Sequence, residues 1–193
     1  MERVWFITGA SRGFGRAFTE EAVKRGDKVI ATVRRVPHDD IFKHPSVLTV
    51  VMDVTKTDEV EKAIKDGMDR FGRIDVLINN AGFGYCGEFV SSTLENDLEM
   101  IDTNVRAVHI LTKLFLKDFV SKNSGRILNV ASIAGFMPGP MMATYYATKN
   151  YVTSLSRAVS YELKEMGSAV TVTAFCPGPV NTEFNQVAGV SFA

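Results

Sequence analysis

Cysteine is scarce in this chain, two in 193 residues. Cys86 and Cys176 stand far apart and show no metal-ligand spacing, which excludes a disulfide framework and a thiolate zinc site. Two reduced thiols are expected instead. Histidine is nearly as rare: His38, His44 and His109 form no ligand pattern, and His109 reads as an ordinary helix-face residue. No metal site is expected. Excess charge of either sign is missing, with 22 basic residues against 22 acidic ones. That balance argues against a nucleic-acid-binding surface and against an acidic solvating tail. The nearest thing to a basic run, Arg34-Arg35, is too short to track a phosphate backbone. No apolar run approaches the roughly 20 residues a membrane helix needs. The first predicted strand begins by about Val4, so no secretory leader is expected and the protein is expected to be cytoplasmic. Internal repeats, low-complexity tracts and linker-like stretches are also lacking.

Apolar residues make up 46% of the chain and charged residues 23%, a balance that supports a sizeable core. Short apolar runs alternate with longer helical stretches. Val4–Thr8, Lys28–Val33, Val47–Asp53, Ile74–Asn79, Arg126–Ala131 and Ala169–Phe175 read as strands. Several are continuously apolar and rich in Val and Ile, as expected of strands covered by helices on both faces. Helices are predicted near residues 14–25, 57–70, 103–121 and 146–165. Gly26 and Gly167 stand where helix ends favour a residue that tolerates positive φ. The fold class that follows is α/β, a doubly wound parallel sheet of the Rossmann type in three αβα layers, with residues 1–193 in one domain.

Directly after the first strand comes Thr8-Gly9-Ala10-Ser11-Arg12-Gly13-Phe14-Gly15, which leads into a helix. Gly9 suits a tight turn, Gly13 lets the backbone approach a pyrophosphate, and Gly15 permits close helix–strand packing. The unpaired N–H groups and positive end of the helix favour an anion. Ser11 also suits a helix cap. In this position the segment predicts a nucleotide site.

The spacing Gly-x-x-x-Gly-x-Gly resembles that of the classical short-chain dehydrogenases/reductases, and the resemblance runs along almost the whole chain. Asp53 follows the third strand, where the resemblance implies that it and the amide of Val54 hold an adenine. Asn79-Asn80-Ala81-Gly82 matches the family's segment after the fourth strand, which places Asn80, Ala81 and Gly82 at the cofactor. Pro177-Gly178-Pro179-Val180-Asn181-Thr182 matches its Pro-Gly segment. The resemblance implies that Pro177, Gly178 and Val180 lie beside a nicotinamide and that Thr182 reaches the cofactor phosphates. Phe14, inside the glycine loop, is expected at the same site.

An acidic residue at the end of the second strand would bind the ribose 2′-hydroxyl of NAD and repel a 2′-phosphate. Here the strand ends Ala31-Thr32-Val33-Arg34-Arg35, and no carboxylate follows until Asp39. Arg34 offers a forked cation to phosphate and Arg12 a second charge. Both match the family's NADP-preferring pattern, so NADP (as NADPH) is the expected cofactor.

Tyr145 and Lys149 are four positions apart, which puts them on one face of a helix. Tyr146 has Asn150 at the matching position. A free tyrosine is a poor proton shuttle at neutral pH, and a nearby ammonium with the positive oxidised nicotinamide is expected to lower its pKa. Ser132 ends the fifth strand, on the side of the sheet that faces a ligand crevice. The resemblance implies that Ser132 binds the substrate carbonyl, Tyr145 donates the proton, Lys149 also holds the nicotinamide ribose, and Asn104 carries a relay water.

The leading reading is a carbonyl reductase or alcohol dehydrogenase acting on a small molecule. A 3-oxoacyl thioester reductase shares every motif quoted, and a non-catalytic NADP-binding redox sensor is the alternative from another class. Residues 135–142 are expected to form an apolar, adaptable pocket wall or, equally, an ordinary packed loop. A homodimer or homotetramer is expected, from the family resemblance and from apolar residues on more than one side of the helices near 103–121 and 146–165, such as Val105, Val108, Leu111, Leu114, Phe115 and Phe119. The natural protein is also expected to continue past Ala193 into a lid and a last strand, since the sixth strand would otherwise be a bare apolar edge.

Overall fold

The computed structural model describes residues 2–180, so Thr182 and residues 185–193 lie outside the described residues. Six strands form one sheet: β1 (Val4–Ile7), β2 (Lys28–Val33), β3 (Val47–Val51), β4 (Val76–Asn79), β5 (Arg126–Val130) and β6 (Thr171–Phe175). Every pairing is parallel, and the spatial order is β3-β2-β1-β4-β5-β6. The order reverses between β1 and β4, which is where an open α/β sheet leaves a crevice for ligand.

The helices are α1 (Gly13–Lys24), α2 (Thr57–Phe71), α3 (Leu94–Ile101), α4 (Ala107–Ser121) and α5 (Ala143–Glu165), with a π-helical turn, Asp102–Arg106, joining α3 to α4. Alternate residues along the strands explain the layers. Phe6, Ile30, Leu77 and Ile127 face a core shared with Val60 of α2, Leu111, Phe115 and Phe119 of α4, and Leu163 of α5. Their neighbours Ile7, Val29, Ala31 and Ile78 face the other way, toward Ala22 of α1 and Phe42. Strands apolar on both faces therefore become the middle layer of αβα.

Several boundaries differ from the expectation. Strand β3 stops at Val51 because Asp53 turns the chain, its carboxylate accepting the Thr55 N–H at 2.9 Å. Helix α5 starts at Ala143, three residues earlier than 146, so Tyr145 sits in its first turn. Helix α3 lies outside the helices that the sequence predicts. Its apolar residues Leu94, Leu98 and Ile101 point outward, and only Met100 is buried, so hydrophobic periodicity does not mark it. Its cap was legible: the Thr93 hydroxyl accepts the Asn96 N–H at 3.2 Å. The apolar residues cited for a second stripe on α4 also need correcting. Val108, Leu111, Phe115 and Phe119 are inside this chain's own core, which leaves Leu114 exposed. Among the described residues no helix is long and apolar enough to cross a membrane.

Under the crevice runs a buried amide network. The Asn79 amide donates to Asn129 Oδ1 at 2.8 Å and to Thr112 Oγ1 at 3.1 Å, and the Asn129 amide donates to Ser156 Oγ at 2.9 Å. It ties β4, β5, α4 and α5 together where an apolar side chain would leave donors without acceptors. Replacing Asn129→Leu should therefore lower stability by on the order of 3 kcal/mol. A loss of unfolding free energy in urea smaller than about 0.5 kcal/mol would show that the network is dispensable.

Candidate active site

All six strands deliver their carboxyl ends to one cavity of about 480 Å³. Gly9 and Ser11–Phe14 follow β1, Arg34 ends β2, and Met52–Lys56 follow β3. Asn80–Phe83 follow β4, Ala131–Ala134 follow β5, and Pro177–Val180 follow β6. Helix α5 adds Met142, Tyr145, Tyr146 and Lys149, while Glu99 and Thr103 come from α3 and the π turn.

The glycine loop is held by its neighbour after β4. The Thr8 hydroxyl accepts the N–H groups of Asn80 and Ala81 at 2.9 and 3.0 Å. In return the Asn80 amide donates to the carbonyls of Thr8 and Gly9, both at 3.0 Å. This requires close approach. Gly9 has φ +62°, and a Cβ there would stand 2.9 Å from the Ala81 Cα. A Cβ on Gly15 would come within 2.3 Å of the Gly9 carbonyl oxygen and 2.6 Å of the Asn80 amide nitrogen. Gly15 does not itself line the cavity; it permits the loop. Arg12, not Ser11, occupies the N-cap position of α1 and makes no side-chain cap bond. The first N–H groups of α1 thus face the cavity without a side-chain acceptor, an arrangement suited to an anion.

At the far end, Arg12, Arg34 and Lys56 line the cavity around a single carboxylate, Asp53. Burial pushes that carboxyl up. Hydrogen bonds from the Thr55 N–H and hydroxyl, with the charges of Lys56 and Arg34, outweigh it and hold the group below its ordinary value. Among the described residues no ion pair engages Arg12, Arg34 or Lys56, whereas Asp39 is paired with Arg16 at 3.1 Å, away from the cavity.

Ser132, Tyr145 and Lys149 meet at the centre. Ser132 caps the short 3-10 turn Ile133–Phe136, accepting the Ala134 N–H at 3.1 Å, and it hydrogen-bonds the Tyr145 phenol. Lys149 is 6% exposed and donates to the Val130 carbonyl at 2.9 Å. Its ammonium lies 5.7 Å from the Tyr145 ring centroid. A Cβ on Gly82 would crowd the Asn104 Oδ1 at 3.0 Å and make an ordinary contact with the ammonium at 3.6 Å.

Asn104 lies in the π turn, wholly buried and outside the cavity lining. Its side chain clamps Phe83, donating to the carbonyl at 2.8 Å and accepting the N–H at 3.1 Å, and it also donates to Thr148 at 3.2 Å.

Two expectations change. The Tyr145 pKa is raised in the protein by itself, not lowered: burial dominates, the Ser132 hydrogen bond opposes it, and the Tyr146 phenol adds to it. Spacing shows which groups meet; it does not show how deeply they are buried. The expected apolar wall at residues 135–142 also contracts to Met142, because Phe136, Met137 and Met141 are exposed outside the cavity. The real wall includes Phe83 and Tyr146, which the motifs did not single out although each directly follows one.

Burial also pushes the Lys149 ammonium down from 10.5 to about 8. Below the folded value both folded and unfolded chains hold the proton, and the desolvation penalty acts in full. Between about 8 and 10.5 the folded chain loses the proton first, so the penalty fades as pH rises. Lys149→Met should accordingly raise the urea midpoint of the ligand-free protein at neutral pH, and the gain should shrink through that window. A gain independent of pH would mean that the buried charge is not its source.

Comparison with known proteins is consistent with this geometry. A model of the short chain dehydrogenase family matches residues 3–189. A 3-oxoacyl-[acyl-carrier-protein] reductase of Synechocystis sp. is 35% identical over 191 residues, covering 95% of this chain and 76% of that protein. A short chain dehydrogenase/reductase from Burkholderia phymatum, solved in complex with NAD, superposes with a TM-score of 0.88 at 28% identity, over 98% of this chain and 70% of that one. A short-chain dehydrogenase from Sphingobium yanoikuyae in complex with NADPH gives 0.86 at 31% identity, over 98% and 75%. Across eight curated relatives the chain spans between 61% and 80% of the relative's length.

Proposed function

Since the chain belongs to the short chain dehydrogenase family, we propose that it is an NADPH-dependent reductase of a ketone or aldehyde, and reversibly a dehydrogenase of the secondary or primary alcohol. It works in the cytoplasm as a homo-oligomer. The observation that carries this reading is the meeting of Ser132, Tyr145 and Lys149 at the carboxyl ends of the strands, in the cavity whose other end is the glycine loop.

The residues fit a dinucleotide. The uncapped start of α1 would take the pyrophosphate, with Gly9, Ser11, Gly13 and Phe14 around it and Gly15 permitting the approach. Asp53 and Val54 would hold the adenine, with Asn80, Ala81 and Gly82 beside the riboses and Pro177, Gly178 and Val180 at the nicotinamide end. When bound, the nicotinamide supplies a hydride to the carbonyl carbon and is itself oxidised.

The rest falls to the chain. Ser132 donates a hydrogen bond to the substrate oxygen and Tyr145 delivers its proton there, completing the alcohol. At neutral pH the phenol is protonated, the form a reduction needs, and burial in the protein by itself does not change that. Lys149 presents its ammonium beneath the phenol and restrains the charge left after transfer. Asn104 fixes Phe83 at the cavity wall and, as the family resemblance implies, would carry the relay water. A 3-oxoacyl thioester is a second substrate reading, favoured by the 35% identity with the Synechocystis reductase. NADPH oxidation followed across a panel of simple and thioester-linked carbonyls separates the two.

Tyr145→Phe should leave NADPH binding within a few-fold of wild type while turnover falls by about 10²–10⁴-fold. A mutant that keeps more than about a tenth of the rate would remove Tyr145 from the role of acid.

Preference for NADPH rests on Arg34 and Arg12, which no carboxylate among the described residues engages in an ion pair, and on the engagement of Asp39 elsewhere. Arg34→Asp should reverse the ratio of kcat/KM for NADPH to that for NADH, since a carboxylate repels the 2′-phosphate. An unchanged ratio places the selectivity on other residues.

A further inference from the structure

The cavity contains two phenols, and the reaction uses one. Tyr146 follows Tyr145 directly in α5, so the two side chains leave the helix in different directions, yet both line the cavity. Their ring centroids are 6.1 Å apart and their planes meet at 77°, which makes a corner.

Tyr146 is held in that corner from behind. A Cβ on Gly139 would lie 2.4 Å from its Cδ2 and Cε2 and 2.5 Å from its Cγ, so the ring rests flat on the Gly139 backbone and only a hydrogen fits there. The loop carrying Gly139 is itself pinned. The Asn150 amide donates to the carbonyls of Ala134, Met137 and Tyr146 at 2.9, 3.1 and 2.9 Å. The Gly87 N–H donates to Met141 at 2.7 Å, and Met141 keeps a left-handed φ of 65°. Phe83 and Met142 pack in the same cluster as the two tyrosines. A rigid aromatic ring, backed by peptide and standing at a right angle to the proton donor, is a preorganised flat wall.

We propose that Tyr146 is a specificity-determining residue, its ring the platform for a flat, unsaturated group attached to the carbonyl carbon, so that aryl and conjugated carbonyls are preferred over flexible aliphatic ones. The proposal rests on the carbonyl-reductase reading and names its substrate class. A flexible chain must lose rotamer freedom to lie on the same wall, while an aryl group arrives flat and gains ring–ring contact. Aromatic pairing of this kind is worth about a two- to tenfold preference.

The test uses three methyl ketones of equal carbon number, acetophenone, cyclohexyl methyl ketone and hexyl methyl ketone. Each is measured with NADPH for turnover, and by calorimetry for binding to the NADP-loaded protein. Acetophenone should lead in affinity and in kcat/KM, mainly through KM. Tyr146→Phe should keep the order and Tyr146→Leu should abolish it. Gly139→Ala, which displaces the ring, should weaken acetophenone more than hexyl methyl ketone. Equal affinities in the wild type, or equal losses for all three ketones in Tyr146→Leu, would overturn the proposal. Turnover of none of them would count against the reductase reading, whereas the binding order still decides the role of Tyr146.

Discussion

The loops that leave β1 and β4 touch at their base, although the connections they begin run to opposite sides of the sheet and open the crevice above. That contact is made by Gly9 against Ala81 and is closed by four hydrogen bonds between Thr8 or Gly9 and Asn80 or Ala81. Everything at the crevice depends on it. It sets where α1 begins and therefore where its unsatisfied N–H groups point. It also places Gly82 and Phe83, which Asn104 then holds from the opposite side.

From this joint the site divides into two electrostatic halves. One end gathers Arg12, Arg34 and Lys56 around a single carboxylate, already satisfied by Thr55. The other end is largely aromatic, with one buried ammonium beneath a buried phenol and Glu99 of α3 in the lining. A low-dielectric pocket strengthens any charge that develops in it, whereas the cation-lined end binds through attraction to phosphate. The same sheet thus holds a cation-lined end and a sheltered aromatic end apart from one another.

Much of this was legible from residue order. The six strands announced themselves because doubly covered strands are apolar runs, and the glycine loop because only small residues tolerate its contacts. Tyr145 and Lys149 stood out by helical spacing, and Ser132 by its strand end. What stayed hidden has physical reasons. Helix α3 turns its apolar residues outward, so its inward face carries no stripe. Phe83, Lys56 and Tyr146 flank recognisable motifs, and only the folded chain shows that their side chains turn into the cavity. The direction of the Tyr145 pKa depends on burial, a property of the assembled core.

A last consequence concerns Lys149. Enclosing an ammonium with one carbonyl partner destabilises the ligand-free fold. Any molecule that brings further acceptors to that ammonium binds the folded chain alone and draws the folding equilibrium toward it. The resistance of this protein to proteolysis inside a cell should then follow the supply of its coenzyme: starved of it, the chain opens more often and is cleared sooner. The residue that prepares the active site would thereby couple the lifetime of the protein to the redox pool it serves.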